Sequence, residues 1–289
     1  MPILNYVHPT ETAFAESAWG IQTAVGTAPT SLTRFLGCNA KPQPKITINP
    51  FTPENSLAPS ARQEGRKWSE TSIDGILTYE ESKTFIQTIE AVTQVDPELI
   101  TIYHNKTMYL DNVVTGWTIE ATSEGVTTTA SLMGEFSSTP ATAPTITCAP
   151  IYAYSGGFTL TIDTVEITDI NSVRIEAQNV WGQLFFNKQT PQKVIQRQPS
   201  VTFSATIGAS DDNKELALTA GEHAVVLTTS QTVGTDTYTY TFSGSVYFTE
   251  PGQESDADGL YAFSLNGTFC STSCIANADL VTVAFTATP

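Results

Sequence analysis

Apolar and polar residues alternate with a period of two along much of the chain, most clearly over residues 113–135. Trp117, Ile119 and Ala121 alternate with Thr118, Glu120 and Thr122, so an extended strand puts one set on each side. Ser123-Glu124-Gly125 gives a tight-turn signal, and residues 126–135 return with the same alternation. The pattern predicts an antiparallel hairpin with one apolar and one polar face. Residues 68–79 read as a strand before it. Further strands are predicted at residues 158–167, 173–179, 200–207, 224–229, 238–248, 260–268 and 280–286. Over residues 80–92 the period becomes helical, with Phe85, Ile86, Ile89 and Val92 on one side and Glu80, Glu81, Lys83 and Glu90 on the other. A shorter helix is predicted at residues 211–218, opened by Asp211-Asp212 at an N-cap position.

Breaks in the pattern set the organisation. Residues 1–44 have little periodicity and many Pro, Thr and Ala, which predicts an N-terminal arm and loop. A loop with Pro53 and Pro59 leads through Arg66, residues 137–150 read as a linker, and residues 180–198 read as an exposed loop. This leaves a first β module at residues 45–140 and a second at 150–289. Both read strands, helix, strands. Duplication of one antiparallel β-sandwich with a flanking α-helix gives that order, and so does ordinary alternation in an all-β chain.

Composition supports the all-β class. Thr is abundant beside Val, Ile, Tyr and Phe, residues that suit pleated, half-buried surfaces. At 40% hydrophobic and 15% charged, the 289 residues fit neither a disordered chain nor a charge-rich helical one. The 13 basic and 29 acidic side chains give a net charge of −16, the opposite of a surface built to grip phosphates. Arg62, Arg66 and Lys67 form the one short basic cluster. An acidic wall would let DNA pass without sticking, and simple solubility accounts for the same charge. No apolar run approaches the roughly 20 residues of a membrane helix, and Met1–His8 lacks the basic and apolar regions of a signal peptide. Synthesis in the cytosol is expected.

Chemistry-bearing motifs are sparse. The metalloprotease, nucleophile-elbow, phosphate-loop and dinucleotide patterns are missing, so neither an enzyme nor a cofactor is expected. Glu80-Glu81 and Asp211-Asp212 sit at helix starts, where carboxylates complement the helix dipole. Glu254-Ser-Asp256-Ala-Asp258-Gly259 begins like a calcium loop, but its twelfth position is Leu265 rather than Glu, so residues 249–259 read as an exposed acidic turn. Cys270 and Cys274 are four apart. Cys38, Cys148 and the three His (His8, His104, His223) are dispersed, so no zinc site is expected. Buried or loop thiols, or a disulfide formed late, fit the cysteines. Asn105 and Asn266 open glycosylation triplets that read as chance matches. Trp68 and Trp117 fall in strand patterns and are assigned to the core. Trp19 and Trp181, with Phe14, Phe185 and Phe186, lie in less periodic stretches and are assigned to contacts between subunits.

Several segments resemble the major tail tube proteins of long-tailed phages and related archaeal tailed viruses. Glu16-Ser-Ala-Trp-Gly20, followed by Gly26-Thr-Ala-Pro29 and Leu32-Thr-Arg-Phe-Leu36, is similar to that family's opening. Gly75-Ile-Leu-Thr-Tyr79 is similar to its strand-to-helix passage. Residues 165–179 and Pro199-Ser-Val-Thr-Phe-Ser-Ala-Thr-Ile207 resemble its central strands around a long loop, and residues 238–248 and 261–269 its closing strands. The resemblance implies a virion structural protein of the tail, made in the host cytoplasm and assembled with itself in stacked rings. The inner strands of each ring form a barrel through which viral DNA is ejected without specific binding. It also implies tape-measure, tail-terminator and tail-tip proteins as partners, and no membrane. A duplicated chain would make trimeric rings with pseudo-sixfold symmetry, and a single module with a decoration domain hexamers.

On this resemblance, alternation assigns Thr118, Glu120, Thr122, Thr127, Thr129 and Ser131 to the lumen. Arg174, Glu176, Gln178, Thr202, Ser204 and Thr206 are their counterparts in the second module. The arm and the loop at residues 180–198 would contact the neighbouring ring, and loss of residues 1–30 would leave a folded chain unable to polymerise. A secreted or surface adhesin or carbohydrate-binding protein is the competing class, together with another virion part such as a tail terminator or capsid decoration protein.

Overall fold

The computed structural model describes residues 17–51, 61–86, 98–135, 144–148, 157–189, 193–208, 221–257, 260–271 and 280–289. Among these the chain is mostly β, with eighteen strands and one short helix. The first run comprises β1 (Ser17–Ile21), β2 (Ser31–Arg34), β3 (Cys38–Phe51), β4 (Ala61–Ile76), α1 (Tyr79–Phe85), β5 (Ile100–His104), β6 (Thr107–Thr122), β7 (Gly125–Gly134) and β8 (Thr145–Thr147). The second comprises β9 (Phe158–Ile162), β10 (Val165–Ile167), β11 (Ile170–Gln178), β12 (Trp181–Leu184), β13 (Lys193–Gln196), β14 (Ser200–Gly208), β15 (Gly221–Val233), β16 (Asp236–Ala257), β17 (Leu260–Cys270) and β18 (Thr282–Thr288).

Apart from the β12–β13 hairpin, every strand joins one sixteen-stranded sheet, mixed because β2 and β8 run parallel. Its backbone is the antiparallel succession β3–β4–β7–β6–β11–β14–β17–β16–β15–β9–β10. The series β5–β1–β2–β8 branches from the first half of β6, and β18 pairs with the first half of β16. The pairing order repeats. In β3–β4–β7–β6 a hairpin joins, through its second strand, the last strand of a later hairpin, and β11–β14–β17–β16 does the same. Beside β6 stand β5, β1 and β2, and beside β16 stand β15, β9 and β10, in the same relative order.

The β6–β7 hairpin follows its sequence pattern: Trp117, Ile119 and Ala121 are buried, while Thr118, Glu120 and Thr122 are not. Two other hairpins turn on two residues that both have positive φ, Asn105 (47°) with Lys106 (65°) and Asp163 (48°) with Thr164 (71°). This is the turn whose twist matches paired strands. Asp163 Oδ1 accepts from the Ala224 N–H, and its other oxygen lies 2.6 Å from His223 Nδ1, tying the second turn to β15.

The two runs share one core. Trp117 of β6 packs on Phe242 of β16 with ring centres 5.4 Å apart, and Tyr79 of α1 meets Tyr238 at 5.0 Å. Phe85 of α1 contacts both Trp19 and Phe35 at 5.7 Å. Thr78 caps α1 by accepting from the Glu81 N–H. The Glu81 carboxylate does not close back on the cap. It is buried and accepts from Leu36 N at 2.7 Å and Gly37 N at 3.0 Å, fastening the β2–β3 turn to the helix. Glu81 therefore leaves the solvent-facing side that helical spacing assigned to it. Ile89, Val92, residues 211–218, Pro53, Pro59 and Cys274 lie outside the described residues.

Other expectations are corrected. Residues 17–44, expected as arm and loop, contain β1, β2 and the start of β3. β3 escapes the pattern because Pro42, Pro44 and Pro50 read as loop, yet proline is tolerated on an edge strand, and among the described residues β3 pairs only with β4. Residues 145–147 of the expected linker pair with β2 as β8. The expected loop at residues 180–198 holds the β12–β13 hairpin, with Trp181, Gly182 and Gln183 buried. The expected acidic turn is strand as far as Ala257, paired with β17.

Candidate functional site

All lumen candidates named from sequence fall on one face of four adjacent strands, β7–β6–β11–β14, and none is buried. One row across the sheet reads Asn39, Asp74, Thr129, Thr118, Glu176, Thr202, Thr268 and Tyr247. The next reads Ile76, Thr127, Glu120, Arg174, Ser204 and Asn266. The opposite face of the same strands carries Trp117, Ile119, Ile175, Ala177, Val201 and Phe203, all buried, so strand alternation separates the two faces.

Cations on the polar face stand beside carboxylates. Arg174 Nη2 is 2.9 Å from Glu176 Oε2 and its Nη1 is 3.9 Å from Glu120 Oε2. Lys41 is 2.7 Å from Asp74, and Lys45 3.7 Å from Glu70. The Glu176 carboxyl is held below its usual range by hydrogen bonds from Gln178 and Arg174. These exposed pairs add little stability, but they leave a face of hydroxyls and countered charge. Its depressions are open ones, such as that between Trp117, Thr118, Ser131 and Gln178. Among the described residues no group of three His, Cys, Asp or Glu is placed to hold a metal, and no helix is long and apolar enough to cross a membrane.

No family model matches the chain, and no curated protein is similar to it in sequence.

Among the inter-subunit candidates, Trp19 and Trp181 are each 8% exposed and belong to the chain's own core, leaving little ring surface for a partner. Short strands such as β1 and β12 give too few residues for alternation to mark them as buried. Phe14 lies outside the described residues. Phe186 is 61% exposed, and Phe185 packs on Trp68 with Arg66 over its ring at 5.2 Å. Trp68 is thus only half-buried, with its indole N–H donating to Glu70, and does not belong to the core.

Sequence gave no signal for the projection these residues form. β7 covers β4 from Ser69 to Ile76, whereas the remainder of the β3–β4 hairpin extends beyond it, with Ile46 and Ile48 exposed. Gln189, in the segment that follows β12, braces it: Lys67 N donates to Gln189 O at 2.7 Å, and Gln189 Nε2 donates to Glu64 O at 2.7 Å.

A buried polar knot at Asp111 was also hidden. Asp111 has φ 53° inside β6, where the strand exchanges β5 for β7 and β11 as partners. Its carboxylate accepts from Gln22 Nε2 (2.9 Å) and Gly26 N (2.8 Å), while its own N–H donates to Gln22 Oε1. Burial, and next the adjacent Asp111 carboxylate, raise the Glu135 carboxyl above its usual range. A carboxyl raised on folding contributes stability below its unfolded value, and that contribution is lost as pH rises through the raised value. Glu135→Gln is therefore expected to raise the melting temperature at neutral pH and leave it unchanged below about pH 4. Melting curves that differ equally at both ends would remove Glu135 as the source.

Proposed function

We propose that the chain is a structural subunit of a viral tail tube, assembling with itself into stacked rings around a channel for DNA. The reading rests on one observation: within the sheet, a continuous antiparallel succession of strands carries a polar, hydroxyl-rich, charge-paired face spanning two strand runs of the same pairing order. On this reading the runs are duplicated β-sandwich modules, each with a flanking helix, and three chains supply a pseudo-sixfold ring. The polar face lines the channel. Phosphates passing it meet Lys41, Lys45 and Arg174 already beside carboxylates, so few persistent contacts slow the strand. The braced β3–β4 projection, with exposed Ile46, Ile48 and Phe186 nearby, is the surface for the neighbouring ring.

Electron microscopy of the purified protein and of the virion tests the assembly. Rings or tubes are expected, with the chain among the most abundant virion proteins. A stable monomer that binds glycans would favour an adhesin instead. Glu120→Lys with Glu176→Lys tests the channel. Tubes should still form, because neither residue is buried, while Arg174 loses both carboxylates and DNA ejection slows in a salt-dependent manner. Ejection at the parental rate at low salt would place this face elsewhere.

A further inference from the structure

Among the described residues, the polar face ends on two backbone edges without partners. β3 pairs only with β4. Gly221, the first described residue of β15, pairs with Phe248, and from Glu250 to Ala257 the described partner of β16 is β17 alone. Within the chain, the corresponding edges meet each other. β6 closes the first run as β16 closes the second, β11 opens the second run as β3 opens the first, and β11 lies on β6 over residues 172–178.

We infer that a second copy of this chain fills both edges, β3 of one copy adding to residues 251–257 of β16 in the next as β11 adds to β6. The register follows from the repeated pairings. Thr122↔Gly125 and Ala257↔Leu260 close equivalent hairpins, so Thr122 corresponds to Ala257. Ile76↔Thr127 and Gly208↔Ala262 sit at equivalent distances from those turns, so Ile76 corresponds to Gly208. Asp74 then corresponds to Thr206, and their partners Asn39 and Ser172 correspond. Lys41 therefore takes the place of Arg174, and Gln43 that of Glu176. The internal pair Arg174↔Glu120 becomes Lys41↔Ser255 between copies. Ala40, which is buried, stands where Val173 does.

The two junctions differ on both strands: the β16 segment carries Pro251 and a register shift between Glu250 and Gln253, and β3 carries prolines of its own. Ile175 and Ala177 of β11 correspond to Pro42 and Pro44 of β3. Proline has no N–H to give a ladder, and within a sheet it sits with its nitrogen toward the open edge. The edge that β3 offers accepts hydrogen bonds but lacks two donors, which blunts it against indiscriminate pairing. The junction between copies is thus weaker than the one inside the chain, and subunits stay separate when dilute.

This inference rests on the chain assembling with itself, and cysteine pairing separates the two claims. Directly opposed residues of antiparallel strands have Cβ atoms about 4.5–5.5 Å apart, close to disulfide reach. Lys41→Cys combined with Ser255→Cys is expected to give covalent multimers on mild oxidation of assembled particles. Either single variant should not, nor should Lys41→Cys with Asp256→Cys, which is one residue out of register. Rings in micrographs without the 41–255 link would overturn the edge assignment and leave the tube reading standing. Absence of both rings and links would overturn both. Pro42→Val with Pro44→Val restores the donors and is expected to tighten self-association at least tenfold in sedimentation. Unchanged association would overturn the role given to the prolines.

Discussion

Replacing Trp117 with Ala is expected to destabilise the chain by about 3–5 kcal/mol, the usual cost of emptying a large aromatic site in a core. Trp117 is 2% exposed, lies against Phe242, and has the small Ala130 and Ala177 opposite it on the neighbouring strands. Those neighbours leave the space that the indole fills, and rigid ladders on both sides of β6 limit collapse into the void. The indole N–H has no hydrogen-bond partner among the described residues, so part of what Trp117 gains by burial is already offset. Trp117→Phe should consequently cost much less than Trp117→Ala. Denaturant unfolding of both variants measures the difference, and an unchanged midpoint for the alanine variant would mean that the faces of β6 are inverted.

Removing residues 1–30 is expected to abolish folding, the reverse of what the low periodicity of this region suggests. The cut takes β1 from between β2 and β5, empties the site of Trp19 against Phe85, and removes Gln22 from Asp111. A buried carboxylate left without its donors costs several kcal/mol. Removing only residues 1–16 spares all of these contacts, so that shorter deletion should fold and is the fair test of an arm needed for assembly. Solubility and a cooperative melt decide. A well-folded chain beginning at residue 31 would show that β1 is dispensable.

The contrast between β6 and β1 shows where local pattern suffices. β6 and β7 each run ten residues or more, and from Trp117 to Thr122 and from Val126 to Leu132 each buried position is followed or preceded by one that is not, so facing is readable there without knowing any partner. The polar face inherits this, which is why Thr118, Glu120, Arg174 and Glu176 could be grouped before their strands were seen together. That β6 lies beside β11 is a non-local choice, and nothing near either strand encodes it. β1 has five residues, and Gly20 within it interrupts the alternation because a Cβ there would meet Leu32 at 2.8 Å. Asp111 reads in sequence as an ordinary polar residue, since a positive φ leaves no compositional mark when Gly is absent. The braced β3–β4 projection was hidden by its prolines.

The contact of Trp117 with Phe242, together with the shared β6–β11 ladder, makes each run a wall of the other's interior. Neither half has a finished surface of its own there, so a fault in one is transmitted to the other and the chain is inspected as a whole. On the proposed assembly into rings, that leaves few half-competent parts: a copy with one damaged half withdraws entirely instead of entering the array and stalling its growth.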